Sequence, residues 1–71
     1  MRIDYSKLWK LLIDKKLKKK DLAAMTGLST STITKIAYNR NVNTDVLVKI
    51  CEVLDCNLSD IAELKKDDSE D

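Results

Sequence analysis

One glycine, Gly27, and no proline punctuate the entire chain, and this scarcity constrains the fold more than any other feature. An all-β fold needs turn residues between its many short strands. With so few of them and 44% hydrophobic residues, the sequence predicts an all-α protein. Its 71 residues hold one small domain, and a core of that size rarely supplies more than about 3–5 kcal/mol. Metal ions, disulfides or a partner subunit often reinforce such a core. The sequence has no histidine and only two cysteines, Cys51 and Cys56. Cys/His zinc sites, histidine-ligated haem and Ser-His-Asp or Cys-His catalysis are thereby excluded. Cysteines five apart lie on different sides of a helix or straddle its end, which disfavours a bridge. They read as small buried hydrophobes, with a redox role as the lesser alternative.

The composition suits a reducing compartment. There is no long apolar run to span a membrane, and residues 1–7 lack the apolar stretch of a secretory signal. A cytoplasmic location is expected, with no membrane, cofactor, metal or small-molecule ligand. The chain also lacks a glycine-rich phosphate loop, so an enzyme is the remote option.

The net charge of +1 conceals a strong polarity. Over residues 1–40, ten Lys/Arg face three acids, leaving +7; over residues 41–71, three lysines face nine acids, leaving −6. Such a chain presents one end to a polyanion and turns the other away. A solvated surface that happens to be polarised fits the same numbers.

Apolar spacing predicts five short helices and an acidic tail. Over residues 5–15, Leu8, Leu11, Leu12 and Lys15 follow the i, i+3, i+4, i+7 pattern, with the stripe ending at the lysine. Trp9 and Ile13 add a second apolar pair, so part of this helix is a possible contact surface. A second helix is expected over residues 19–26 with Leu22, Ala23 and Met25 inward. Gly27 ends it in a left-handed conformation. Ser29 caps a third helix carrying Ile33 and Ile36 inward and Thr30, Ser31, Thr34 and Lys35 outward. A fourth begins after Asn43 with Leu47, Ile50, Cys51 and Leu54 as its stripe. Asn57 and Asp60, spaced as in a capping box, start a fifth with Leu58, Ile61 and Leu64 apolar. Residues 65–71 are acid-rich and lack anchors, so the domain is expected over residues 1–64 and a disordered tail beyond.

The third helix is chemically odd. Ser29, Thr30, Ser31, Thr32 and Thr34 are poor helix formers, because their hydroxyls compete for backbone groups and the branched ones lose rotamer freedom. Small hydroxyls on an outer face make sense if another surface must approach and be hydrogen-bonded. Just upstream, Lys18 occupies a cap position that favours Ser or Thr. Together with Lys19 and Lys20 it puts positive charge at a helix N-terminus, against the dipole. A bound phosphate would relieve both penalties.

The window KKDLAAMTGLSTSTITKIAY, residues 19–38, meets the steric demands of two helices crossing steeply at a tight turn. Leu22 fills the angle, Ala23 is small where the helices press, Gly27 turns, Leu28 plugs the turn, and Ile33 and Ile36 seat the second helix. These are the marks of a helix-turn-helix. With this window, the loop after it and the DVLVKICEVLDCNLSDI ending, the chain resembles the lambda-repressor-like, Cro/cI-type (XRE family) helix-turn-helix proteins. It is similar to their minimal, single-domain members over about residues 5–64.

The resemblance implies a compact five-helix DNA-binding domain whose third helix enters the major groove of double-stranded DNA. It makes Thr30, Ser31, Thr34 and Lys35 the base readers. It places Lys18, Lys19, Lys20, Ser29, Thr32, Asn39, Arg40 and Asn41 against the sugar-phosphate backbone. Lysine can donate to guanine O6 and N7, while Ser and Thr hydroxyls suit either donor or acceptor edges. No bidentate Gln, Asn or Arg stands among the readers, so DNA shape is expected to contribute. The chain departs from its relatives in two places. Lys19 and Thr30 stand where many have a bracing pair of glutamines. Ala37-Tyr38-Asn39-Arg40-Asn41 replaces an acid-and-glycine loop, with Asn39 or Asn41 suited to the left-handed turn.

The resemblance also implies a homodimer on half-sites about one helical turn apart. Its candidate surfaces are the fifth helix (Leu58, Ile61, Leu64) or the Trp9–Ile13 face. The function expected is transcriptional regulation, more specifically repression, since there is no sensing or activating domain. The alternative is a helix-turn-helix module that binds another protein, as an antitoxin or adaptor does.

Overall fold

The computed structural model describes residues 1–66; of the disordered tail expected over residues 65–71, Lys65 instead belongs to a paired strand, and residues 67–71 lie outside the described residues. The chain opens with a short strand β1 (Arg2–Asp4), followed by α1 (Ser6–Asp14), α2 (Lys19–Thr26), α3 (Thr30–Ala37) and α4 (Thr44–Leu54). A 3-10 turn (Leu58–Asp60) and a second strand β2 (Glu63–Lys65) follow. The strands pair antiparallel, with Arg2 opposite Lys65, Ile3 opposite Leu64 and Asp4 opposite Glu63.

Each helix has local causes. α1 buries Leu8 and Leu12, one turn apart, and the Asp4 carboxylate accepts from the Ser6 N–H at 2.9 Å. That bond satisfies an amide with no partner inside the helix. α2 starts where the Asp21 carboxylate accepts the Lys18 N–H at 2.8 Å. The Lys18 ammonium cannot accept in return, so only half of a capping box is present. Gly27, at φ 73°, stops α2. Ser29 caps α3, its hydroxyl accepting from the Thr32 N–H at 3.2 Å.

The other helices stop without glycine: Lys16, Asn39 and Asp55 take φ of 59°, 57° and 54° after α1, α3 and α4. In each case the next N–H reaches back five residues: Leu17 to the Leu12 carbonyl at 2.8 Å, Arg40 to Lys35 at 2.9 Å and Cys56 to Cys51 at 3.0 Å. These back-bonds satisfy otherwise orphaned carbonyls.

The core is one cluster of Tyr5, Leu8, Leu12, Leu22, Ile33, Ile36, Leu47, Ile50, Leu54 and Ile61. Every helix contributes to it, and so does the segment after α4. Cys51 and Cys56 are half-buried free thiols. Burial and the neighbouring Cys51 thiol push the Cys56 thiol up to about 11, so at neutral pH it stays protonated and unreactive.

Two expectations are corrected. The fifth helix is absent, leaving four α-helices among the described residues. The Asn57 N–H does donate to the Asp60 carboxylate at 2.9 Å, yet the helix stops after one 3-10 turn and the chain extends into β2. A helix of about eight residues has little intrinsic stability, and the open edge of β1 offers main-chain partners instead. Only Ile61 of the expected stripe is buried, at 0% exposure; Leu58 and Leu64 stand 52% and 64% exposed.

In α2, Met25 points outward and Thr26 is the buried residue. The Thr26 hydroxyl donates to the Leu22 carbonyl at 2.7 Å and accepts from the Leu28 N–H at 3.3 Å. Its polar atom is thereby satisfied inside the turn.

Candidate nucleic-acid interface

α3 is held by Ile33 and Ile36, both buried. At 100° per residue, Ser31, Thr34 and Lys35 then fall on the side away from the core and Thr30 on its flank, and all four are exposed. The sequence places these four residues together, and the fold leaves them uncovered.

Their hydrogen bonds narrow what each can offer. Thr34 donates its hydroxyl to the Thr30 carbonyl at 2.8 Å, which leaves oxygen lone pairs and a methyl group for an incoming surface. Ser29 and Thr32 join hydroxyls at 3.1 Å at the start of α3, with Thr32 half-buried. Lys35 and Thr32 also line a groove of about 260 Å³ together with Asn41, Val42, Asn43 and Val46. The Thr32 and Lys35 edge of α3 and the loop leading to α4 therefore share one groove.

The lysines and the arginine expected at the DNA backbone are solvent-exposed. Lys18, Lys19 and Lys20 are exposed at the start of α2, and Arg40 and Asn41 are exposed beyond α3. The Lys19 ammonium lies 4.9 Å from the centre of the Trp9 ring, within cation–π range. Trp9 is thus the platform for a basic residue, a role the sequence offered no signal for.

Asn39 behaves differently from the other expected backbone contacts. It takes the left-handed turn, as expected of Asn39 or Asn41, but its side chain faces the N-terminus. Its Oδ1 accepts the Tyr5 N–H at 3.0 Å, and its Nδ2 donates to Asp4 at 3.5 Å. Asp4 is buried. Its carboxyl is held below the usual value of 3.8 by hydrogen bonds from Ser6, aided by the charges of Lys65 and Arg2. Nothing in the sequence periodicity flagged Asp4 or Tyr5, because their partners lie more than thirty residues away.

The arrangement is an exposed set of small hydroxyl side chains and one lysine on α3, with further exposed cations at the start of α2 and just beyond α3. A family model described as the Cro/C1-type helix-turn-helix DNA-binding domain matches residues 7–67. The chain is also similar to the crystal structure of the transcriptional regulator VanUg (form II). The two share 48% identity with a TM-score of 0.87, over 92% of this chain and 88% of that one. No curated protein sequence matches it significantly. With a family model spanning most of its length, and a helix-turn-helix whose second helix leaves Thr30, Ser31, Thr34 and Lys35 exposed, the chain belongs to the Cro/C1-type helix-turn-helix DNA-binding domain family.

Proposed function

We propose that this protein is a sequence-specific, double-stranded-DNA-binding transcriptional regulator that acts as a repressor by placing α3 in the major groove. The observation that carries the reading is that Thr30, Ser31, Thr34 and Lys35 stand exposed on a helix whose Ile33 and Ile36 are seated in the core. Those four read bases: Lys35 donates to guanine O6 or N7, and the hydroxyl residues meet donor or acceptor edges and the thymine methyl.

Lys18, Lys19, Lys20, Ser29, Thr32, Arg40 and Asn41 hold the two backbones, with Asn39 at the corner between α3 and that loop. Contacts of this kind set register and orientation without reading sequence. The likeness to a protein titled a transcriptional regulator supports the regulatory role. Among the described residues no helix is long and apolar enough to cross a membrane, which agrees with a cytoplasmic site of action. The protein works without cofactor or catalysis.

One short helix in one groove selects weakly, so the working form is a homodimer on half-sites about one helical turn apart. The exposed Leu58 and Leu64, rather than the buried Ile61, are the apolar residues the C-terminal segment leaves for a partner.

Selection of binding sites from random duplexes, followed by titration across a salt series, tests the reading. A two-fold symmetric site is expected, with log K falling steeply and linearly against log salt. Lys35→Ala changes which base is preferred, at a cost of about 1–3 kcal/mol on the wild-type site, whereas Lys19→Ala weakens all sequences alike and lowers the salt slope by about 1. Wild-type affinity for the preferred duplex in both variants would overturn the residue roles. Indifference of the wild type to DNA at physiological salt would favour a protein-binding module.

A further inference from the structure

The two ends of α3 are held by different means. The start is capped locally by Ser29. At the other end, long-range constraints converge on Asn39. Its backbone sits at φ 57°, its N–H donates to the Ile36 carbonyl at 3.0 Å, and the following Arg40 N–H donates to the Lys35 carbonyl at 2.9 Å. Its side chain then spans to the opposite end of the chain, meeting the Tyr5 N–H at 3.0 Å and Asp4 at 3.5 Å.

The far side of that bridge is firmly placed. Tyr5 and Asp4 are both buried, Asp4 accepts from the Ser6 N–H at 2.9 Å, and Lys65 of β2 stands 3.9 Å from its carboxylate. The terminal ribbon and the start of α1 are thereby tied to the exit of α3.

Asparagine suits this position for three separate reasons. It offers an acceptor to a main-chain N–H, a donor to a carboxylate, and tolerance of the left-handed backbone. Glycine supplies only the third. Aspartate would set a second negative charge beside Asp4.

We infer that Asn39 is a positioning residue for DNA binding: its bridge to Tyr5 and Asp4 sets where Arg40 and Asn41 meet the phosphate backbone. The inference rests on the assignment of Arg40 and Asn41 to that backbone. It gives the β1–β2 ribbon a part in recognition without any contact to DNA. Arg40 follows Asn39 directly, so rotation of the corner residue carries the guanidinium with it. Holding the corner before DNA arrives removes an ordering cost from binding.

The test compares Asn39→Gly with the wild type on a selected duplex, by fluorescence anisotropy across a salt series, at a temperature where circular dichroism shows both folded. Glycine keeps the left-handed turn and removes only the bridge. Affinity should fall about three- to tenfold and the salt slope should drop by about one. Arg40→Ala should cost less in the Asn39→Gly background than in the wild type, as expected of coupled residues. If Asn39→Gly melts below the assay temperature, Asn39→Ser, whose shorter side chain gives up the reach to Tyr5 and Asp4, replaces it, and the same signs are expected. Unchanged affinity and slope, or an Arg40→Ala effect equal in both backgrounds, would overturn the inference while leaving DNA binding in place. Wild-type protein that shows no salt-dependent binding would instead remove the DNA reading itself.

Discussion

The helix-turn-helix of α2 and α3 and the ribbon of β1 and β2 are both short, and neither would be stable in isolation. They differ in where their instructions lie. In the first, Leu22, Gly27, Ser29, Ile33 and Ile36 fall within fifteen residues, and the turn and the cap are each closed within a few residues. In the second, Asp4 pairs with Glu63 and Ile3 with Leu64, about sixty residues apart. Stripes and caps announce contacts of the first kind. Contacts of the second kind have no period to announce them, and the segment after Asn57 carried a competing helical pattern.

Substitutions rank the two regions. Ile33→Asp should abolish the cooperative melt, because it buries an unpaired charge in a core holding only about 3–5 kcal/mol. A transition like the wild type's in thermal circular dichroism would show that α3 is not seated as described. Ile61→Ala comes next, at about 2–5 kcal/mol by the usual cost of a deleted core side chain, read from urea unfolding. Such a loss would establish that the segment after α4 stabilises the domain through one residue rather than a helical stripe.

Acid titration probes the ribbon. The carboxyl of Asp4 is depressed from 3.8 in the folded state by its Ser6 hydrogen bonds and the nearby cations. Between the folded and unfolded values the unfolded chain binds the proton, so stability rises with pH there. The contribution is therefore complete above the unfolded value and lost as pH falls through the folded one. Asp4→Asn should flatten that acid limb, and its deficit at neutral pH should disappear in strong acid. A limb as steep as the wild type's would assign the acid sensitivity to other carboxylates. The smallest change is expected for Leu64→Ala, within about 0.5 kcal/mol as for most surface substitutions. Calorimetry at high dilution should show this, and a larger loss would mean that Leu64 is covered, as it would be in a dimer.

The bounds of α2, the turn at Gly27, the Ser29 cap and the outward face of α3 were all legible from residue type and spacing, because each expresses a rule acting within a few residues. Met25 and Thr26 were read in the wrong order. Hydropathy favours methionine inside, but Thr26 stands one turn from Leu22 and satisfies its hydroxyl against that residue's carbonyl. Of the contacts to the DNA backbone that the resemblance implied, Lys18, Lys19, Lys20, Ser29, Arg40 and Asn41 stand exposed. Asn39 was read as a DNA-backbone contact and a candidate for the left-handed turn; it takes that turn, and its carboxamide spans to Tyr5 and Asp4. Trp9 was read as apolar surface, and the fold brings Lys19 over its ring.

Amino-acid order alone settled the mostly helical class, the two-helix turn and the split of charge between the two halves of the chain. Those properties follow from backbone preference and side-chain period, which act over a turn or two. Folding in three dimensions settled the fate of the segment after Asn57, the bridge at Asn39 and the platform under Lys19. Each of these is a pairing between distant positions. Its energy exists only once the shared core has brought the partners within reach.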